Sequence, residues 1–271
     1  MNNSDLADYY VKNKLEFYGE DAQSKLLVGL KKYIKKINIA ANKVVGIDVG
    51  CCVGNFIPTL LEICNEDNSN ILCFEPNPVN TLHLKEKIKN KRNIKLFECS
   101  VSNETKRTIL YNWRKYQKNN TGNQLAGLRS GGDKICDTNV KRLDDILDKE
   151  FNNENIVIKL LKIDTEGNDG NVIKGLQKYL SKTKYIIFEC SDCLDDMRGP
   201  NTPNPMRDIV YFLSENQFDT YRMGTKKLFK VNDENWNEIY DDFKFWSNCF
   251  AIQKSDDLIN DLIDENYDYK Y

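Results

Sequence analysis

Lys43-Val-Val-Gly-Ile-Asp-Val-Gly-Cys-Cys-Val-Gly-Asn-Phe56 is a β-branched apolar run that empties into a glycine turn. Val44, Val45, Ile47 and Val49 make the short hydrophobic segment expected of a strand buried on both faces of a parallel sheet. Gly50 and Gly54 bracket a tight turn, and a helical pattern begins after Gly54. Strand, turn and helix N-terminus form a cradle for a nucleotide-like ligand, because backbone without side chains admits the ligand closely and the helix offers unpaired N–H groups. Asp48 stands at the carboxyl end of that strand, where the ligand would lie.

Working outward, Ile71 to Phe74 reads as a second strand ending in Glu75-Pro76-Asn77-Pro78, whose prolines stop the strand and start a helix over about 79–90. Ile94 to Cys99 reads as a third strand, followed by Ser100-Val101-Ser102. This β-α-β-α-β alternation predicts a parallel sheet with right-handed crossovers and a ligand at the carboxyl ends of its strands. Glu75, about 25 residues past the turn, is placed to accept both hydrogen bonds of a ribose diol. Upstream, Leu26, Leu27, Leu30, Tyr33, Ile34 and Ile37 recur at helical spacing, so residues 1–40 read as an N-terminal helical extension or lid broken near Gly19.

Downstream, residues 106–111 suggest another strand, and 112–139 runs polar without clear periodicity. That stretch mixes Trp113, Arg114, Lys115, Tyr116, Lys118, Arg129 and Lys134, and reads either as a solvated insertion or as an acceptor-binding loop. Ile156 to Ile163 is an apolar strand closing in Asp164-Thr165-Glu166-Gly167, a helix follows over about 168–180, and Tyr185 to Phe188 ends in Glu189. A helix at about 205–216, strands Phe218 to Met223 and Asn248 to Ile252, and an acidic tail over 255–271, read as a surface or frayed helix, complete the chain.

The 39 Lys and Arg nearly balance 41 Asp and Glu, and a net charge of −2 argues against a generally basic nucleic-acid binder. No long apolar run or basic-apolar leader appears, so the expectation is a cytoplasmic protein with no membrane partner. The nine cysteines read as reduced, mostly buried thiols; Cys190 and Cys193 have CxxC spacing, but no second pair completes a zinc site.

Three stretches together resemble the FkbM-type methyltransferases, which use S-adenosylmethionine. Asp48-Val-Gly-Cys-Cys-Val-Gly-Asn-Phe56 is similar to the family's D-x-G-A-N-x-G-N-F turn, Phe74-Glu-Pro-Asn-Pro78 to its F-E-P-N-P, and Leu161-Lys-Ile-Asp-Thr-Glu-Gly167 to its L-K-I-D-x-E-G. Val140 to Leu147 resembles its L-D-D element. Cys51 and Cys52 depart from the family's Ala-Asn pair. The resemblance implies an α/β fold, the Rossmann-like seven-stranded class I methyltransferase sheet with an antiparallel last strand, spanning 41–254. It implies that Asp48, Gly50, Cys52, Gly54 and Asn55 hold the methionine part of S-adenosylmethionine, that Glu75 holds the ribose, and that Ser100 and Ser102 flank the adenine, with Asp164 also at the cofactor. It favours a hydroxyl acceptor on a sugar or other small molecule or glycan.

The chain's single histidine, His83, lies away from the motifs, which leaves Asp164, Glu189 and Glu166 as candidates for the proton-accepting group. Their clustering would raise one carboxylate's affinity for protons; equally, a divalent metal could sit among them, although none is predicted. An RNA ribose 2′-O-methyltransferase is the rival within the fold, but its Lys-Asp-Lys-Glu tetrad is not matched where the strand after Asp164 ends in Glu189. A cofactor-binding protein without activity is the alternative of another class.

Overall fold

The computed structural model describes residues 3–17, 20–34, 43–64, 69–112, 126–128, 130, 132–152, 154–190, 205–242 and 247–267. They fall into two compact units, residues 39–184 and residues 1–38 with 185–271. The Tyr18-Gly19 break, the Trp113–Lys118 stretch, Arg129 and Cys193 lie outside the described residues.

In residues 39–184 the strands are, in chain order, β1 (Lys43–Val49), β2 (Ser69–Phe74), β3 (Ile94–Phe97), β4 (Ser100–Val101), β5 (Lys106–Asn112), β6 (Ala126–Gly127), β7 (Asp133–Lys141) and β8 (Ile156–Ile163). β8, β1, β2 and β3 lie side by side and all parallel, with Asp48 level with Cys73 and Lys162, and Val49 level with Phe74 and Ile163. That register brings the ends of β1, β2 and β8 to one edge. The β-branched run of β1 explains its central position, because six of its seven residues are buried. Pro78–Ile88 follows β2; Pro78 supplies a preset first helical residue, and the Asn77 side chain caps the helix by accepting from the Val79 N–H.

A second sheet, in the order β4-β7-β5-β6, occupies part of the stretch that the sequence leaves without periodicity. The stretch that reads either as a solvated insertion or as an acceptor-binding loop thus contributes described residues to a strand ladder that runs between 106 and 141. β7 reads Asp-Lys-Ile-Cys-Asp-Thr-Asn-Val-Lys and is half exposed, so no hydrophobic alternation announces it.

The other unit holds β9 (Thr183–Glu189) from Tyr185 onward, β10 (Phe218–Met223), β11 (Leu228–Lys230) and β12 (Asn248–Gln253). β12 runs antiparallel between β9 and β10, as the resemblance implies for the last strand; β11, antiparallel to β10, is an addition. Helix Glu20–Ile34 buries Leu26, Leu27, Leu30, Tyr33 and Ile34, and helix Leu258–Asn266, which buries Leu258, Leu262 and Ile263, packs against it. The acidic tail therefore contains a docked helix. Residues 3–34 are tied to the β10–β11 hairpin as well. The Tyr9 hydroxyl donates to Glu16, the Lys226 N–H donates to Glu16 Oε1 at 3.1 Å, and Phe17 meets Phe229 with ring centres 5.1 Å apart. No described helix is long and apolar enough to cross a membrane.

Candidate active site

The turn after β1 is built by backbone bonds to β2 and by close approach to β8. Gly50 and Cys51 both donate their N–H to the Phe74 carbonyl, at 3.0 and 3.1 Å. Gly50 has φ +79°, and a Cβ placed there would stand 1.8 Å from the Asp164 carbonyl oxygen. Only glycine fits, so the strand end carrying Asp164 lies directly on the turn. Cys52 also takes a left-handed φ of 48°, a conformation that asparagine tolerates far better than cysteine. Lys87 reaches back to the turn and donates to the Gly54 carbonyl at 2.9 Å, to the Val53 carbonyl at 3.2 Å and to Asn55 Oδ1 at 3.4 Å.

Glu75 is buried and spends its carboxylate on this architecture. Oε2 accepts from the Cys52 N–H at 2.8 Å, while Oε1 accepts from the Asn77 N–H at 2.9 Å and from Asn80 Nδ2 at 3.2 Å. Burial pushes its pKa up to about 7 against the pull of those three donors. Asp48 is fully buried, and neither of its oxygens accepts a hydrogen bond from the described residues. Burial raises its pKa to about 6, Lys162 opposing. Burial and the nearby Glu75 charge push the Cys52 thiol up to about 11, so it stays protonated and a poor nucleophile.

Asp164 has a half-exposed side chain whose Oδ2 accepts from Lys162 Nζ at 2.9 Å. Glu166, two residues on, is buried with φ +55°, and Gly167 follows at φ +103°. Thr165 turns inward and donates its hydroxyl to Asp169 at 2.8 Å. Glu189 ends β9 in the other unit, buried and level with Asn248.

The two serines are engaged within the fold. Ser100 Oγ lies 3.2 Å from Thr138 Oγ1, and Ser102 Oγ donates to Asn103 and Asn168, while Asn168 Nδ2 donates to the Val101 carbonyl at 2.7 Å. His83 is exposed on helix Pro78–Ile88. The sequence reading gave Lys162 no role beyond its place in the L-K-I-D-x-E-G resemblance and missed Lys87 and Asn80. Lysines facing solvent or lying inside an apolar strand give no periodic signal, and only the register shows what they reach.

Residues 39–184 thus present a Rossmann-like parallel sheet whose glycine turn and acidic strand ends gather at one edge, the class of protein that binds an adenosine cofactor there. The Methyltransferase FkbM domain matches residues 48–223, and the chain belongs to this family of S-adenosylmethionine-dependent methyltransferases. No curated protein sequence matches the chain. Among solved structures, it is similar to methyltransferase FkbM from Methylobacillus flagellatus KT, with 11% identity and a TM-score of 0.46 over 92% of this chain and 57% of that one. The chain therefore spans little more than half of that protein's length. Aeropyrum pernix fibrillarin, with natively bound S-adenosyl-L-methionine, is 11% identical at a TM-score of 0.39, covering 83% and 74%. The plantazolicin methyltransferase BpumL, in complex with SAH, is 8% identical at 0.40, covering 92% and 88%.

Proposed function

We propose that the chain transfers a methyl group from S-adenosylmethionine to a hydroxyl of a sugar or other small molecule. The observation that carries this reading is the half-exposed Asp164 carboxylate on a strand end pressed against Gly50, which places one accessible acid beside the cradle. The residues fit the cofactor: a side-chain-free turn, a buried Asp48 carboxylate that accepts no hydrogen bond from the described residues, and an excess of acids suit a ligand bearing positive charge. When bound, S-adenosylmethionine supplies an electrophilic methyl group on a sulfonium.

What the chain's residues then contribute is binding, alignment and one proton acceptor. Gly50, Cys52, Gly54 and Asn55 present backbone and amide groups along the methionine part, with Asp48 beneath. Glu75 keeps capacity on Oε2, which accepts one hydrogen bond inside the fold, and meets a ribose hydroxyl there while holding the Cys52 N–H. Ser100 and Ser102 shape the adenine side through the backbone of their corner. Asp164 orients the acceptor hydroxyl and receives its proton, and Glu166 serves as a second carboxylate of the reaction edge.

The test is transfer of labelled methyl groups from S-adenosylmethionine to a panel of monosaccharides, nucleotide sugars and RNAs. Label in a sugar or nucleotide sugar supports the reading. Label in RNA alone, or in nothing, overturns it.

A further inference from the structure

Two of the acids around the turn, Asp48 and Asp164, share one cation, and nothing above assigns that cation a role. Lys162, 9% exposed, extends from β8 so that its Nζ donates to Asp164 Oδ2 at 2.9 Å and stands 4.0 Å from Asp48 Oδ1. The Phe56 ring, 5.8 Å from the ammonium, flanks it. Asp48 alone would have a reason to take up a proton. Asp48 is cut off from water and accepts no hydrogen bond from the described residues, and Asp164 adds a like charge beside it.

We propose that Lys162 is a positioning residue for the methyl-transfer site: its single ammonium balances the buried Asp48 carboxylate, fixes Asp164 through Oδ2, and leaves the surrounding acids in excess for a cationic ligand. With Oδ2 engaged, Oδ1 is the Asp164 oxygen left for the ligand or the acceptor hydroxyl. Asp48 acts from below without touching the ligand, since its oxygens are sealed from solvent. The titratable groups facing this centre are Lys162 from β8, Asp164 and Glu166 just beyond its end, Glu75 and Cys51 around the end of β2 and the turn, and Asp169 beyond Thr165. Burial works against the ammonium, but the Asp164 and Asp48 charges outweigh it and hold its pKa above the ordinary lysine value. Lys162 is therefore a fixed charge rather than a base at neutral pH.

This role rests on S-adenosylmethionine being the ligand, and the experiment separates the two. Binding of S-adenosylmethionine is measured calorimetrically from pH 7.5 to 9, above the titration of Glu75 at about 7, in buffers of different ionisation enthalpy. Once the ligand's own α-ammonium titration, at about 7.7–8.0, is subtracted from every profile, the wild-type chain should bind with a flat pH profile and no proton released. In Lys162→Met, the buried Asp48 loses the cation that opposes its protonation and takes up a proton before the ligand arrives, so binding should release up to about one proton and strengthen by up to about tenfold per pH unit. Lys162→Arg should restore the flat profile. A flat, proton-neutral profile in Lys162→Met overturns the proposal, whereas no binding to the wild-type chain refutes the cofactor reading instead. If Lys162→Met does not fold, the double variant K162M/D48N is read in its place. It removes the uncompensated acid, so recovered folding with a flat profile supports the charge role and failure to recover overturns it.

Discussion

Replacing Gly50 by alanine perturbs the cradle at the position where the structure leaves least freedom. The added Cβ would stand 1.8 Å from the Asp164 carbonyl oxygen and 2.8 Å from its carbon, both backbone atoms that no rotamer change can move. Reaching the 3.0 Å below which real Cβ contacts essentially never occur requires the two strand ends to part by more than an ångström. A left-handed φ of +79° costs alanine about 1–2 kcal/mol, and forcing a methyl into packed backbone adds about 1–3 kcal/mol. The stiffer unfolded chain returns about 0.5 kcal/mol, so the net loss is about 3 kcal/mol. Urea unfolding at constant m-value measures it. The shift of the Gly50 and Cys51 N–H groups away from the Phe74 carbonyl should also abolish the rise in thermal midpoint caused by S-adenosylmethionine. A loss below about 1 kcal/mol with the ligand-induced rise intact would refute the claim that Gly50 joins β1 and β8 under the ligand.

Three further outcomes follow from the same geometry. Cys52→Asn should stabilise the chain by about 0.5 kcal/mol, because asparagine accepts φ 48° more readily and keeps the N–H bond to Glu75; a clear drop in thermal midpoint would contradict this. Glu75 binds its proton more tightly in the folded state, with a pKa near 7 against 4.5, so it contributes a stability that is full below about pH 4.5 and is lost as pH rises through about 7, about 3 kcal/mol in all; Glu75→Gln should flatten the pH dependence of urea unfolding across that window, and an unchanged slope would count against the assignment. Asp164→Asn, which removes the charge and keeps the shape, should weaken calorimetric binding of S-adenosylmethionine by about tenfold or less yet lose transfer by about a hundredfold or more, and retained turnover would remove Asp164 from its proposed role.

How much of this was legible in the residues depended on where the structural information resides. β1, its turn and Glu75 were readable because a β-branched run, two glycines and a proline-ended strand are local signals with direct physical causes. The Lys43–Val49 and Ile156–Ile163 strands fall within a residue or so of where their apolar runs place them. The β4-β7-β5-β6 ladder was not readable: β4 and β6 are two residues each, and β7 is stabilised by pairing rather than by a buried face of its own. The partners of the acids were equally hidden. Glu75 reads from sequence as a ligand acceptor, whereas three of its hydrogen bonds turn inward to Cys52, Asn77 and Asn80, and Lys162 reads as one more residue of an apolar strand until the β1–β8 register sets it beside Asp48. Docking of Leu258–Asn266 on Glu20–Ile34 joins residues more than two hundred positions apart, a separation that no local pattern spans.

The most direct measurement is calorimetric titration of the wild-type chain with S-adenosylmethionine and with its demethylated product. The cradle at Gly50, Glu75 and Asp48 predicts one binding site for each, with the Gly50→Ala variant silent under the same conditions. Absence of binding by both ligands, or binding that Gly50→Ala leaves untouched, would contradict it.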